Sequence, residues 1–519
     1  MSGWFNVAFR LQLKRANSPP PFSSGRTFGF RTPPDRRQPD RRMKIVFAGS
    51  ELTPFARTGG LGDFLDALPA ALAARGHEVS LVLPAYRGLR ETKELGLRAT
   101  GVRIPISIGH KRLDAEIVQG ETPSGLQLFL IRRDEYFDRS GLYGSDNGDY
   151  ADNAERFIFF SKAVLELARR VAPPPEILHV NDWQTALLPV LVREKALPLR
   201  TVLTLHNLAF QGTFPASEFA CTNLPGSFFG ADGLEFHGQL NLLKGGILHA
   251  DRLTTVSEAY CREIHSQPAG CGLEGAVRSR TRHLTGILNG MDAQLWNPAN
   301  DPLLPHRFSA SDLSGKALCK KALLERTGLK PDPTGPVFAW VGRLSEQKGI
   351  DLLLPILDRL LADDVRLVVL GKGDSQYERD LLVASRKHAG KFVCLPELDE
   401  PLAHLTEAGA DISLFPSHFE PCGLTTMYSL RYGTPPVARA TGGLHQIVQD
   451  IQTESGNGFL FFDETSEAFY HTLQRAKRLF ANSGAWKALV LRAMLSEFSW
   501  DKAAERYERV YEHALSGSR

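Results

Sequence analysis

KIVFAGSELTPFARTGGLGDFLDALPAALAARGHEVSLVLP (residues 44–84) holds two short apolar runs separated by a glycine turn and a strongly helical segment. KIVFAG and EVSLVLP read as strands buried on both faces, and the segment between them reads as a helix crossing back over the sheet. The alternation continues through LQLFLIR, EILHVND, TVLTLHN, RLTTVSE and GILNG. After a Pro- and Asp-rich interval near residues 297–336 it restarts with PVFAWVG, VRLVVLG, KFVCLP, DISLFPS, PPVARA and GFLFF. This predicts an α/β protein with two doubly wound Rossmann-like domains, at 43–296 and 297–482. A helical tail over 483–519 follows, and its packing partner cannot be read from the pattern. Residues 1–42 are rich in Pro, Ser and Arg, lack an apolar h-region, and are expected to form a disordered extension. An organellar transit peptide shares that composition, as does a start codon misplaced upstream of Met43.

The chain has 519 residues and a formal net charge of +3, which is nearly balanced for its length. Such a charge makes no electrostatic case for nucleic acid or an anionic membrane as partner. No run approaches the roughly 18 apolar residues of a membrane span. The six cysteines form no C-x-x-C pair, so neither disulfides nor a structural zinc is expected.

In open parallel sheets ligands bind beyond the carboxyl ends of the strands. There the chain carries His179 to Trp183, His206-Asn207, Asn289-Gly290, Gly342-Arg343 with Lys348, and His418-Phe419-Glu420. The tetrad T-G-G-L occurs at 58–61 and again at 441–444, once in each half. Glycine at a helix start lets backbone N–H groups approach an anion, although a tight strand-to-helix connection needs the same residue. Arg343 and Lys348, five apart on GRLSEQKG, either converge on a diphosphate or form a solvated charge pair.

KIVFAGSELTPFARTGGLGDFLDALP, HVNDWQTAL, TLHNLAFQG, ILNGMDAQLWNP, VGRLSEQKGIDLL and PSHFEPCGLTTMYSLRYGTPPVARATGGL, in that order, resemble the bacterial glycogen synthases and plant starch synthases. The resemblance implies the GT-B fold, with its two domains facing a central cleft. It also implies glucosyl transfer from ADP-glucose to the non-reducing end of an α-1,4-glucan such as glycogen, with retention at the anomeric carbon. By the same resemblance, Gly59 and Gly60 would meet the donor phosphates, with Asp63 a nearby cleft carboxylate and Arg57 standing where the family usually has Lys. Asp182 and His206 would border the donor glucose, Asn289 would lie close to the sugar, and Arg343 and Lys348 would neutralise the diphosphate. Glu420 would stabilise an oxocarbenium-like transition state, Cys422 and Gly423 would belong to the donor-binding set, Cys422 as a packed or donor-contacting residue rather than a nucleophile, and Thr441, Gly442 and Gly443 would complete the phosphate and sugar contacts.

Many retaining GT-B enzymes carry a second Glu eight residues after the first, but here that place is Tyr428, and the resemblance implies front-face departure and attack. Gln446 stands where relatives often have Asp. Tyr143, Asn147, Tyr150 and Asn153 fall in a neighbourhood the family uses around the nucleotide, though capping and packing account for them equally well. No D-x-D pair stands at a strand end, and neither a metal nor a cofactor is expected. The implied location is the bacterial cytoplasm, or a plastid if residues 1–42 are a transit peptide. A phosphorylase would need a pyridoxal-phosphate lysine that the chain does not offer. A non-catalytic glucan-binding relative would have lost Glu420, His206, Arg343 or Lys348, and UDP-glucose is the alternative donor.

Overall fold

The computed structural model describes residues 41–145, 148–171, 174–331, 333–397 and 399–517. The expected N-terminal extension lies outside the described residues except for Arg41 and Arg42, and so does Asn147. Among the described residues there are two large sheets. The first is built from β1 (Lys44–Ala48), β2 (Glu78–Pro84), β3 (Arg98–Ile108), β4 (Lys111–Glu121), β5 (Gln127–Arg132), β6 (Ile177–Asn181), β7 (Arg200–Leu205), β8 (Arg252–Thr255) and β9 (Leu284–Gly286). Its strand order is β9-β8-β7-β6-β1-β2-β5-β4-β3. The second contains β10 (Val337–Val341), β11 (Arg366–Leu370), β12 (Phe392–Leu395), β13 (Ile412–Phe415), β14 (Pro436–Arg439) and β15 (Phe459–Phe461), in the order β12-β11-β10-β13-β14-β15.

All pairings in the second sheet are parallel, and the first is parallel except where β3 and β4 form an antiparallel arm at its edge. That arm is absent from the sequence expectation. β3 exposes most of its residues and alternates apolar with polar only towards its end, so it lacks the apolar run that marks a doubly buried strand.

The opening stretch shows how the crossovers form. Helix α1 (Gly60–Ala74) buries Leu61, Phe64, Leu65, Leu68 and Leu72 at helical spacing, each contributing about 1.5–3 kcal/mol of transfer free energy. It stops at Arg75 and Gly76, where φ is +102°.

The tail divides between the two domains. Helix α7 (Ser483–Met494) buries Trp486, Leu489 and Val490 in the core around the second sheet. Helix α8 (Trp500–Ser516) returns to the first core with Trp500, Tyr507 and Tyr511. Glu508 anchors α8 by accepting from Arg75 at 2.7 and 2.8 Å and pairing with His77 at 3.0 Å. His179, grouped with the cleft residues by sequence, lies inside β6 instead. Its ring is fully buried between Tyr511 Oη at 2.7 Å and Thr204 Oγ1 at 2.6 Å, so it serves this anchor.

Candidate active site

The order in which strands are added switches side at the first strand of each sheet: β1 lies between β2 and β6, and β10 between β11 and β13, all running parallel. The strand ends flanking these two switch points carry the glycine turn after β1, Asn181-Asp182 after β6, Gly342-Arg343 after β10 and the Glu420 loop after β13. Parallel-sheet topology alone thus brings most of the sequence-selected polar residues to the crevices where ligands bind.

The first glycine turn is built around a residue that the sequence reading did not select. Glu51 is buried just beyond β1 and accepts from Thr58 N–H at 2.8 Å, Gly59 N–H at 3.2 Å, Thr58 Oγ1 at 2.5 Å and Tyr143 Oη at 2.9 Å. Burial lifts its carboxyl above the ordinary carboxylate range, against the pull of these donors. Its place directly after a strand was the available signal. A Cβ on Gly59 would touch nothing within 4 Å, whereas one on Gly60 would meet Leu424 Cδ1 of the second domain at 3.2 Å. Arg57 Nη2 lies 3.0 Å from Asp63 Oδ2, and Thr53 Oγ1 donates to the other Asp63 oxygen at 2.9 Å.

Asp182 follows β6 with φ +51°, a conformation that costs a non-glycine residue energy and aims its carboxylate at the end of β7. There Oδ1 accepts from the His206 backbone N–H at 2.8 Å. Burial pushes the Asp182 carboxyl up to about 7 and the His206 imidazole down to about 3, so His206 is neutral at physiological pH. His206 Nε2 is 3.0 Å from Asn181 Oδ1, and Phe64 packs edge-on against the ring at 4.7 Å. Asn289 is buried, and its Oδ1 has no hydrogen-bond partner among the described residues.

In the second domain Lys348 and Glu420 form an ion pair with side chains 25% and 11% exposed. They line one recess with Gly342, Ser417 and Thr425. Arg343 is joined only loosely to the same loop, through Gln347 Oε1 at 3.4 Å. Cys422 is buried, and its thiol is pushed far up by burial and by the neighbouring Glu420 charge. It is held as a thiol, unsuited to nucleophilic attack. Gly423, at φ +92°, starts helix α5 (Leu424–Arg431). Tyr428 stacks on Trp296 at 4.0 Å with planes 3° apart, and the opposite face of Trp296 stacks on His404 at 4.0 Å. The position eight residues past Glu420 therefore clamps the interdomain connection.

The second T-G-G-L turn differs from the first. A Cβ on Gly442 would stand 2.0 Å from Glu420 O, and one on Gly443 1.7 Å from Cys422 O, so both glycines are required for the backbone to pack against the Glu420 loop. Gly443 N–H donates to Glu420 O at 2.8 Å. Gly442 N–H donates at 2.7 Å to Glu263, from helix α2 (Glu258–Glu263) of the first domain, and Thr441 Oγ1 approaches the same carboxylate at 3.3 Å. Ser257 Oγ to Pro421 O at 2.7 Å, and Glu258 N–H to Gln446 Oε1 at 3.0 Å, complete this bridge between domains. Glu263 carries no motif signature, because its partner lies far along the chain. Among the described residues no group of three or more His, Cys, Asp or Glu is arranged to hold a metal ion, and no helix is long and apolar enough to cross a membrane.

Comparison with known proteins agrees with this architecture. A family profile described as the starch synthase catalytic domain matches residues 44–279, and one described as glycosyl transferases group 1 matches residues 324–479. A glycogen synthase of Opitutus terrae is 44% identical over 481 residues, covering 91% of this chain and 100% of the relative. One from Anaeromyxobacter sp. is 46% identical over 484 residues, covering 90% and 99%. The catalytic domain of starch synthase IV from Arabidopsis thaliana, solved bound to ADP and acarbose, superposes with a TM-score of 0.85 at 33% identity, covering 92% of this chain and 100% of that one. Sucrose-phosphate synthase from Thermosynechococcus elongatus, at 17% identity and a TM-score of 0.56, shares the fold.

Proposed function

The chain belongs to the glycogen and starch synthase family of GT-B glycosyltransferases, and from that membership we propose that it elongates an α-1,4-glucan with glucose drawn from ADP-glucose. Arg343 and Lys348 neutralise the diphosphate as the sugar bond breaks, and the carboxylate of Glu420 holds sugar hydroxyls and favours positive charge at the anomeric centre. His206, as a neutral imidazole, hydrogen-bonds a hydroxyl of the donor glucose. Asp182 holds the His206 backbone in place. Arg57, Gly59, Gly60 and Asp63 border the phosphates from the first domain, with Asn289 beside the sugar and Cys422, Gly423, Thr441, Gly442 and Gly443 framing Glu420. The glucan hydroxyl attacks from the face that the diphosphate leaves, and the departing phosphate takes its proton, so configuration is retained without a covalent enzyme intermediate.

The observation that carries this reading is the Lys348–Glu420 pair in its recess at the β10/β13 switch point. The ADP in the Arabidopsis structure supports an adenine nucleotide as the leaving group. The test supplies purified protein and glycogen with labelled ADP-glucose or UDP-glucose, without added metal, and measures label in polymer. Incorporation from ADP-glucose is expected; preference for UDP-glucose would replace the donor, and no incorporation from either would overturn the assignment.

A further inference from the structure

His418 lies two residues before Glu420, and its ring is held between two carboxylates. Nδ1 is 2.6 Å from Glu464 Oε1, and Nε2 is 2.8 and 2.9 Å from the two oxygens of Asp351. Asp351 sits on helix α3 (Ile350–Leu353), three residues after Lys348. Glu464 comes from the loop after β15.

The backbone joins the same two segments. His418 N–H donates to Gln347 O at 2.9 Å, and Gly349, at φ +84°, approaches so closely that a Cβ there would stand 2.1 Å from Pro416 O. Arg439, at the end of β14, is a further charged group of this cluster, held to the backbone of the His418 segment and to Glu464. It donates from Nε to Ser417 O at 2.7 Å, bonds the His418 carbonyl, and reaches Glu464 at 3.2 Å.

An imidazole donates from both nitrogens only when it is protonated. Without the second proton, one of the two carboxylates faces a ring lone pair. Burial works against the charge, but Asp351 and Glu464 outweigh it and hold the ring above the ordinary histidine value of 6.5.

We propose that His418 is a positioning residue of the transferase site: as an imidazolium it clamps the segment bearing Arg343 and Lys348 to the segment bearing Glu420, and donor affinity falls when the ring becomes neutral. The inference rests on reading that recess as the nucleotide-sugar site.

The test follows KM for ADP-glucose from pH 6 to 9 and, in parallel, ADP affinity by calorimetry, on the full chain. Wild-type KM and the ADP Kd should rise about 3- to 10-fold with increasing pH, with kcat moving less. His418→Gln should show the high values at every pH, and His418→Arg, which stays charged, the low ones. Glu464→Gln removes one stabilising carboxylate and should move the rise to lower pH, which decides the matter if His418 variants do not fold. A His418→Gln protein that keeps the wild-type pH profile, even with reduced thermal stability, would overturn the proposal, as would an unmoved rise in Glu464→Gln. Failure to make polymer while ADP still binds would defeat the functional reading alone; failure to bind ADP at any pH would defeat both.

Discussion

Arg57 and Asp63 face each other at 3.0 Å, so the positive charge of the first glycine turn is shared with a carboxylate on the helix that the turn begins. Arg57→Lys keeps that charge but loses the planar fork, and donor KM should change by less than about threefold. Arg57→Ala should raise donor KM by about 10- to 100-fold, or roughly 1.4–2.7 kcal/mol. Steady-state kinetics with varied ADP-glucose distinguishes the two, and an alanine variant with wild-type KM would remove Arg57 from the donor site.

Lys348 and Glu420 neutralise each other, and truncating either leaves a largely buried charge unpaired. Lys348→Ala and Glu420→Ala should each lower kcat by at least about 100-fold, with circular dichroism unchanged. Because the two act as a pair, the double variant should lose less than the product of the single losses. Near-normal turnover in either single variant would mean that the recess is not where transfer occurs.

The Asp182 carboxyl is lifted from 3.8 to about 7 by burial. A raised carboxyl binds its proton more tightly in the folded state, so its contribution to stability is complete below pH 3.8 and is lost as pH rises through about 7. Asp182→Asn cannot ionise and still presents an oxygen to His206 N–H. Its stability relative to wild type should therefore increase between pH 5 and pH 8, by about 2–3 kcal/mol, while activity falls. Urea unfolding at the two pH values measures this. Parallel pH dependence in both proteins would show that Asp182 is already ionised at pH 5.

Glu263 ties the two domains together through the Gly442 N–H. Glu263→Ala should weaken closure and increase the radius of gyration of the ligand-free protein in X-ray scattering, with ADP reversing part of the change. Glu263→Gln keeps an acceptor oxygen and should behave nearly as wild type. Identical scattering curves for all three would show that other contacts set the closure.

Much of this architecture is legible along the chain, for a physical reason. Strands buried on both faces, such as β1 and β11, appear as apolar runs; Arg343 sits directly after such a run, and Glu420 and the first glycine turn lie on the loops that follow one. β3 escapes that signal because most of its residues face solvent. Glu263 and the Trp296–Tyr428 stack are illegible for a different reason: each works through a partner that only the tertiary fold supplies. The two T-G-G-L tetrads are identical in letters, yet the first turn has open space at Gly59 while the second is pressed against the Glu420 loop. Local sequence specifies the turn, and the surroundings decide what the turn is for.

Helix α8 closes the first domain with residues made roughly 200 positions after that domain's last strand. At about 5–20 residues per second, a ribosome leaves a delay of some 10–40 s during which the face destined for Tyr507 and Tyr511 is exposed on the nascent chain. The second domain must emerge within that interval, so the first-made half of the protein is the last to be finished. A stop codon just before Trp500 would spare every residue of the cleft and still deprive the first core of its cover.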